Sequence, residues 1–521
     1  MTRTRDRVGL MLFILTASLA FVGRAGAQPP AAGAPPIDER KLQAFRATLK
    51  AAGFESQDGA MLFADMVQEV CAGRLSDTLA NNPWPNAYST VRLPLHPGVA
   101  PPRTDLFFQL GPNEAIVLVG QTPPPAKFFS YQTFLLNVPN DPRRRGYPVG
   151  DAVNIGTIRT LGPTPFRQPF VYILTGHRGT ERLVRQAALK AGYPAAILNV
   201  ERISPVVAPL QVGNAGSWLA LAHRVAVPES QDDLLQYERD PPYRVFRLTP
   251  SADLARLLGD DPEPVPVLRT RGTGHTEMAL YPALNRLRQA ILDQHGAGQE
   301  LDTKVWSLVT NDPVTGEPRE MITEKPFVAM QREIQAIGAT RDTNYLATYP
   351  NIRLRQGVDE FVIAYGVNHE MTGKATYSSI SVYADKDRWM GPENGTKTSP
   401  YFGDSARHYL PDDPDADMLY AIKVARNCGG EDHCMEVNNP EFVDIFGYSY
   451  AVNPTCSLPF GAPDAKPWDM NDHEVFFVFR SYMEPATKVG PDDNELLYDR
   501  AIYFTSTPGA AAARQEAGPV R

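Results

Sequence analysis

Cysteine is scarce in this sequence, and the motifs that usually carry redox or metal chemistry are missing. The chain of 521 residues has four cysteines, none in a Cys-x-x-Cys pair, which argues against thioredoxin-like, zinc-ribbon and c-type haem proteins. It also has no Gly-x-Ser-x-Gly, no Gly-rich phosphate loop and no His-Glu-x-x-His. Standard α/β hydrolases, P-loop nucleoside triphosphatases, Rossmann dehydrogenases and zinc proteases are therefore not indicated.

Apolar runs of membrane-spanning length are also missing. The longest run, Val8–Val22, is shorter than the ~20 residues that a spanning helix needs. It follows three arginines and precedes the small residues Ala25–Ala27, a pattern typical of a secretory signal peptide over residues 1–27. We therefore expect a secreted or periplasmic protein that begins at Gln28 and has no membrane span.

The charge balance is acidic, and proline is abundant. The whole chain has a net charge of −8, and removal of residues 1–27, which hold four arginines and one aspartate, leaves −11. An acidic surface repels phosphate backbones, so nucleic acid is not an expected partner. With 43% hydrophobic and 21% charged residues, the composition is that of a folded globular protein, and 48 prolines indicate many turns.

The four cysteines of an exported chain favour disulfides. Three pairings of four cysteines are conceivable. We prefer Cys428–Cys434, because these two flank a short loop, and this choice leaves Cys71–Cys456 as a link between distant regions.

The fold class predicted from the patterns is mixed α+β, and the chain divides into successive regions. After the signal peptide we expect a leader and small helical region, an α/β region, a β-rich region and a disordered tail, over residues 28–90, 91–335, 336–507 and 508–521. Apolar spacing predicts N-terminal helices over Lys41–Ala52 and Gly59–Ala72, and another helix over Asp417–Asn427. No internal sequence repeat exceeds a few residues.

The clearest unit is a strand, a helix and a strand. Phe170–Leu174 and Ala195–Asn199 are short apolar segments, and Thr180–Ala191 between them has apolar residues at helical spacing. This length suits a parallel crossover, so at least one βαβ unit is predicted.

The loop between that first strand and the helix, Thr175–Thr180, contains His177 and Arg178. Open α/β sheets bind ligands at such strand ends, and helix N-termini attract anions. His177 would contribute a titratable group and Arg178 a forked hydrogen-bond donor. The alternative is a glycine-containing turn with solvated side chains.

Two further loops are candidates. Thr273–Glu277 repeats the Thr-Gly-His triplet and contributes His275, although two unrelated helix-capping turns explain it equally well. Between two predicted strands, a second polar loop supplies Asn368, His369, Glu370 and Lys374. Histidine and glutamate suit acid–base chemistry or metal binding, lysine suits an anion, and asparagine suits substrate orientation. Solvated polar side chains are the alternative for this loop.

One histidine lies in a predicted strand. His223 alternates with apolar residues and would share their face, where a buried neutral histidine is the alternative to a substrate-binding role. Two acidic clusters, at residues 413–417 and 469–474, leave a divalent metal open, although helix capping explains the first cluster.

These patterns favour an exported enzyme that acts on a small anionic molecule by acid–base or metal-assisted chemistry, with no cofactor assigned. His369 would be the acid–base group or ligand with support from Glu370, while Lys374, His177 and Arg178 would hold the anionic group. Asn368, His275 and His223 would contribute to substrate binding. The alternative is a non-catalytic binding protein of the cell envelope.

Overall fold

The fold is described by a computed structural model. It covers residues 37–64, 87–100, 102, 104–138, 146–305, 307–311, 318–322, 338–356, 359–384, 396–437, 441–443, 449–451, 457–458, 466–467, 471 and 473–505. Within these residues the chain is a mixed α+β protein with six α-helices and two large β-sheets. The helices are α1 Glu39–Ala51, α2 Arg178–Lys190, α3 Gln231–Arg239, α4 Ala252–Leu258, α5 Tyr281–His295 and α6 Ser399–Phe402.

The first sheet has ten strands and the order β5-β4-β9-β2-β1-β10-β3-β7-β8, with β6 paired to β4. Its strands are β1 Phe54–Phe63, β2 Ala87–Arg92, β3 Ala115–Gln121, β4 Ala126–Asn137, β5 Tyr147–Pro148, β6 Val153–Asn154, β7 Pro169–Thr175, β8 Leu198–Arg202, β9 Trp218–Pro228 and β10 Tyr243–Pro250. Helix α1 begins after Asp38, whose side chain accepts from the Lys41 N–H, and it buries Leu42, Phe45 and Leu49 against this sheet.

The second sheet has nine strands. They are β11 Gln299–Val305, β14 Thr343–Tyr349, β15 Glu360–Val367, β16 Tyr377–Ala384, β17 Thr396–Thr398, β18 Leu419–Ala425, β19 Cys434–Glu436, β24 Val475–Tyr482 and β25 Arg500–Thr505. Three two-stranded sheets accompany it, formed by β12 Ser307–Asn311 with β13 Pro318–Ile322, β20 Glu441–Val443 with β21 Ser449–Ala451, and β22 Ser457–Leu458 with β23 Lys466–Pro467.

The two large sheets have the same topology. The second sheet has the order β17-β16-β24-β14-β11-β25-β15-β18-β19, which matches the order of the first sheet when β6 is left out and each sheet is numbered along the chain. A helix precedes the first strand of each sheet, and each sheet ends in its only parallel pair, β7 with β8 and β18 with β19. The described chain therefore contains two copies of one arrangement, which its sequence does not repeat.

The register of the strands agrees with this correspondence. In the first sheet Arg224 lies opposite Tyr88 on one side and Ser130 on the other. In the second sheet Arg480 lies opposite Tyr345 and Ser379 in the same way. At this one register position, the equivalent strands of the two halves therefore carry the same residue types.

The two halves contact each other through β4 and β9 of the first sheet and β16 and β24 of the second. Phe128 packs on Tyr377 and Tyr482, with ring centroids 5.9 and 5.6 Å apart, and Ala226 completes the same buried cluster. Arg224 of the first half donates to the Tyr377 hydroxyl at 2.5 Å. The contact combines aromatic packing with a buried cation, and both halves contribute side chains to it.

Three sequence predictions are confirmed. The βαβ unit is present, because β7 and β8 run parallel and α2 connects them. Helix α1 matches the first predicted N-terminal helix. Cys428 and Cys434 form a disulfide with their Cα atoms 5.7 Å apart.

No helix in the described part of the chain is long and apolar enough to cross a membrane.

Two predicted helices are wrong in their described parts. The segment predicted as a helix from Gly59 continues strand β1, which pairs with β10 through Gly59 and with β2 from Ala60 onward. The segment predicted as a helix from Asp417 is a short 3₁₀ turn, Ala416–Met418, followed by strand β18. Most side chains of β18 are buried on both faces, so its apolar residues show no period-2 pattern that would distinguish a strand.

The acidic residues that suggested a helix start have another role. Asp413 and Asp415 pair with Arg286, and Asp417 pairs with Arg407. The rest of the predicted N-terminal helical region, the signal peptide, the C-terminal tail and the Cys71–Cys456 pair lie outside the described residues. The domain boundaries stay predictions. Along the chain, the last strand of the first sheet ends at Pro250 and the first strand of the second sheet begins at Gln299.

Candidate functional site

His369 is held between two carboxylates. Its Nδ1 lies 2.8 Å from Glu277 Oε1 and its Nε2 lies 3.4 Å from Asp499 Oδ2, and the residue is 0% exposed. Burial by itself lowers the pKa of His369, but the two carboxylates outweigh it and raise the pKa to about 10. The residue is therefore an imidazolium cation that is bonded at both ring nitrogens, and neither nitrogen is open to solvent.

The two carboxylates are themselves fixed. Glu277 accepts from the Thr372 hydroxyl at 2.6 Å and from the Leu497 N–H at 2.9 Å, while Asp499 accepts from the Tyr420 hydroxyl at 2.6 Å. Burial favours the neutral form of Glu277, yet His369 and these donors hold its pKa below the ordinary value. This is a closed ionic network whose hydrogen bonds are made inside the protein.

Lys374 is satisfied in the same manner. Its ammonium group donates to Glu484 at 2.8 Å, to Glu495 at 2.5 Å and to Thr273 at 3.0 Å. Burial opposes its charge, but the two glutamates raise the pKa of Lys374 above its ordinary value. The lysine predicted to hold a ligand anion thus holds two carboxylates of its own chain.

The structure brings two of the three predicted loops together. The loop at 273–277 contacts the loop at 366–374 through the Glu277–His369 and Thr273–Lys374 bonds. Glu370 faces another way and bonds with Lys127 and Ser399. The loop at 175–180 instead forms hydrogen bonds with residues 113–114, 203 and 259–263.

The remaining predicted residues of these two loops lie near the network without joining it. Asn368 is buried, and its main-chain N–H donates to the Met418 carbonyl at 2.8 Å. His275 is exposed, and its main-chain N–H donates to the Thr273 hydroxyl at 3.4 Å.

His177 is the N-cap of α2. Its Nδ1 accepts from the Thr180 N–H at 3.1 Å, and its Nε2 lies 3.2 Å from both the Gly259 carbonyl and the Asp261 N–H. The ring is buried, so it closes the helix start that the sequence suggested as an anion site. Its neighbour Arg178 is exposed and pairs with Asp261 at 3.5 Å.

His223 lies in an aromatic cluster inside the first half. Its ring stacks on Tyr131 at 4.3 Å, its Nδ1 lies 3.2 Å from the Ser130 carbonyl, and its Nε2 lies 3.3 Å from the Tyr237 hydroxyl. Burial lowers the pKa of His223 to about 3, so the residue is neutral at physiological pH. The ring has no exposed surface through which it would meet a substrate.

A polar groove lies beside α2 and β8. It consists of two adjoining cavities of about 240 and 430 Å³, and Arg185 and Arg202 line both. We call it the arginine groove, because its walls carry six arginines and only three acidic residues. These are Arg159, Arg178, Arg182, Arg185, Arg202 and Arg269, with Asp151, Glu181 and Glu263.

One wall of the groove is a connecting segment, residues 259–272, which we call the strap. It leads from the first half to the second and carries Glu263 and Arg269. The strap is fixed to the first sheet because the Glu263 N–H donates to the Gly176 carbonyl at 2.8 Å and the Arg269 N–H donates to Asp151 at 2.7 Å. The groove therefore has well-anchored walls.

The groove arginines differ in how far they are paired. Arg202 forms two hydrogen bonds to Glu181, at 2.7 and 2.8 Å, and Arg185 lies 3.7 Å from the same carboxylate. The guanidinium groups of Arg159 and Arg182 are exposed and have no hydrogen bond or ion pair with any residue that the structure describes. The groove thus contains cationic donors that are available to an anion.

A second carboxylate lies beside Arg202. Glu263 is 4% exposed, and its Oε2 is 3.6 Å from the Arg202 guanidinium. Burial, with the neighbouring Glu181 carboxylate, raises the pKa of Glu263 to about 7, although Arg202 opposes this shift. An acid that titrates near neutral pH inside a cavity is a common property of functional sites.

Sequence reasoning found Arg178 but missed the other groove residues. One signal was present, because Arg178, Arg182 and Arg185 follow each other at intervals of four and three residues, which places them on one face of a helix. Arg202 and Glu263 gave no such signal, since they come from a strand end and from the strap.

The described residues include no group of three or more histidine, cysteine, aspartate or glutamate side chains that is arranged to hold a metal ion. The acidic cluster at 413–417 is engaged with Arg286 and Arg407. In the second cluster, Asp469 and Asp472 lie outside the described residues.

Comparisons with known proteins add little. No known family and no curated protein matches the sequence. Among solved structures, the VPA0106 protein from Vibrio parahaemolyticus is similar over 89% of this chain and 100% of that chain, with 11% identity and a TM-score of 0.34. A partial N-terminal region of an enterococcal surface protein gives 87% and 95% coverage, 9% identity and a TM-score of 0.16. The candidate site therefore rests on the chain's own residues.

Proposed function

We propose that this chain is an exported binding protein that holds a small anionic molecule in the arginine groove. The observation that carries the proposal is the convergence of six guanidinium groups on one groove, two of them without a described partner, in a chain of net charge −8. Arginine presents several donors in a fixed fork, which suits carboxylate, sulfonate or phosphate groups.

The dimensions of the groove support a small ligand. Cavities of about 240 and 430 Å³ fall near the lower end of the usual range for small-molecule sites. The larger cavity also lies at the C-terminal end of β8, where Arg202 lines it, and ligands commonly bind at this end of parallel strands. A macromolecule would need a larger continuous surface.

Export is part of the same proposal. The pattern over residues 1–27 predicts a cleaved signal peptide, and the Cys428–Cys434 disulfide is typical of proteins that fold outside the reducing cytosol.

A second candidate function is an enzyme that acts on the same anionic molecule. The observation that favours it is the pKa of Glu263, about 7, because a carboxyl group that titrates there can donate or accept a proton at physiological pH. In this version Glu263 would take the acid–base role that the sequence suggested for His369, whose ring nitrogens are both engaged.

The test is calorimetric titration with ethanesulfonate, an anion whose charge does not change near neutral pH. We expect saturable binding to the wild-type protein, and at least ~10-fold weaker binding to the double variant Arg182→Gln/Arg185→Gln, since each lost charged hydrogen bond costs about 1.5–3 kcal/mol. Arg256→Gln is the matched control, because Arg256 is exposed on α4 outside the groove.

Two results would overturn the proposal. One is the absence of binding by the wild-type protein to ethanesulfonate, sulfate and small carboxylates alike. The other is equal binding by the double variant and the Arg256→Gln control.

A further inference from the structure

We propose that the natural ligand is a zwitterion. Its ammonium group would donate a hydrogen bond to Glu263 Oε1, and its acidic group would bind the arginines. This inference rests on the proposed function and names the class of ligand. Its basis is the distribution of charge within the larger cavity, where Glu263 and Glu181 lie with Arg178, Arg182 and Arg185.

The first argument is the unsatisfied oxygen. Glu263 is more than nine-tenths buried and lines the cavity, yet its Oε1 has no hydrogen-bond partner among the described residues. Buried carboxylate oxygens are normally bonded, because an unpaired one loses its solvation without compensation. A donor supplied by a bound molecule would satisfy this oxygen.

The second argument is that the cation nearest to Glu263, Arg202, already donates its hydrogen bonds to Glu181. Arg202 directs two donors at Glu181, at 2.7 and 2.8 Å, and lies 3.6 Å from Glu263. The main-chain N–H of Glu263 donates to Gly176 at 2.8 Å, so the strap holds this carboxylate in place. Glu263 is thus fixed beside a cation that bonds mainly to another residue.

The third argument concerns the sign of the charge that this position attracts. The carboxylates of Glu263 and Glu181 are neighbours, so the space next to them favours a positive group. Arg182, on the same cavity, has no described partner and favours a negative group. A single small molecule that bears both charges satisfies both ends of the cavity, whereas a simple anion leaves Glu263 Oε1 without a hydrogen-bond donor.

Amino acids and aminosulfonates have this chemistry. Their ammonium and acidic groups are separated by one to a few carbon atoms, which fits a cavity of about 430 Å³. The structure assigns the class of ligand by these two groups and not by its carbon skeleton.

The test compares taurine with ethanesulfonate, which differ only in the ammonium group. Calorimetry on the wild-type full chain should show taurine binding at least ~10-fold more tightly, as expected for a charged hydrogen bond. Glu263→Leu should remove this preference while ethanesulfonate still binds, and Glu263→Gln, which keeps an acceptor oxygen without the charge, should retain a small part of it.

The outcomes separate the two proposals. Equal binding of taurine and ethanesulfonate by the wild-type protein overturns the zwitterion proposal and leaves anion binding intact. An undiminished preference in Glu263→Leu also overturns it. If neither compound nor any simple anion binds, the proposed function itself fails. Should the Glu263 variants not fold, N-acetyltaurine replaces them, since acetylation removes the ammonium charge, and binding as tight as that of taurine contradicts the proposal.

Discussion

The guanidinium carbon of Arg224 lies 4.1 Å from the centroid of the Tyr482 ring, so a cation of the first sheet rests on an aromatic ring of the second. Arg224 is buried and also donates to the Tyr377 hydroxyl at 2.5 Å. A desolvated cation on an aromatic face is more strongly held than an exposed one. This contact is therefore a main connection between the two halves.

Replacement of Arg224 by leucine should destabilise the protein. The change removes the cation–π contact and leaves the Tyr377 hydroxyl without this donor, for an expected loss of about 2–4 kcal/mol in the free energy of unfolding. Guanidinium chloride denaturation measures the effect, and Arg256→Leu, at an exposed site on α4, is the control. A midpoint for Arg224→Leu equal to that of the control would contradict this role.

Stability should fall as the pH rises, because of His369. Its pKa is about 10 in the folded protein and 6.5 in the reference state, so its stabilising contribution is complete below pH 6.5 and is lost as the pH rises through 10. His369→Gln should lose about 3 kcal/mol near neutral pH, since the Glu277 and Asp499 carboxylates lose their buried partner. Urea unfolding at several pH values tests this.

The matched control for this experiment is His275→Gln, an exposed histidine from the neighbouring loop. The wild-type protein and this control should lose stability in parallel between pH 6.5 and pH 10, whereas His369→Gln should change much less over that range. Identical slopes for all three proteins would show that His369 does not titrate as described.

Loss of the Cys428–Cys434 disulfide should have a moderate effect. The bond closes a short loop, with a sequence separation of 6, so the double serine variant should be less stable by about 2 kcal/mol. Thermal unfolding compares it with the wild-type protein under non-reducing conditions. Peptide mapping of the same samples tests the separate prediction that Cys71 pairs with Cys456, which free thiols at either position would contradict.

Anion binding in the arginine groove should weaken as Glu263 ionises. The pKa of Glu263 is about 7, because burial and Glu181 raise it, so its carboxyl group is neutral below this pH and negative above it. Ethanesulfonate should bind roughly fivefold more weakly at pH 8 than at pH 6, an effect of about 1 kcal/mol from one added charge. Glu263→Gln should remove this dependence, and taurine should show the opposite trend.

The βαβ unit could be predicted because its signals are local. Apolar spacing changes from the strand pattern at Phe170–Leu174 to the helical pattern at Thr180–Ala191, and both periods are set by neighbouring residues. The Cys428–Cys434 bond was predictable for the same reason, since its partners lie close together in the sequence. The loop at 175–180 followed from the βαβ unit, and it led to Arg178 at the edge of the groove.

Only part of the ionic network around His369 and Lys374 could be predicted from the sequence. The sequence predicted site roles for His369 and Lys374 because they are polar residues of one loop. Their partners Glu277, Glu484 and Glu495 come from distant segments. These partners decide whether such a residue is available for chemistry, because a paired and buried charge has no free atom to offer a ligand.

By itself, the sequence determined the acidic balance, the predicted export signal, the local disulfide, helix α1 and the βαβ unit, all of which depend on composition or on residues close in the chain. Only the tertiary structure decided that one strand order occurs twice and that six arginines line one groove. The groove lies where the two halves differ. Helix α2 connects β7 to β8 in the first half, whereas a disulfide-bonded loop connects β18 to β19 in the second. The physical reason is that strand pairing and cavity walls join residues far apart in the chain, and pairwise spacing carries no record of those contacts.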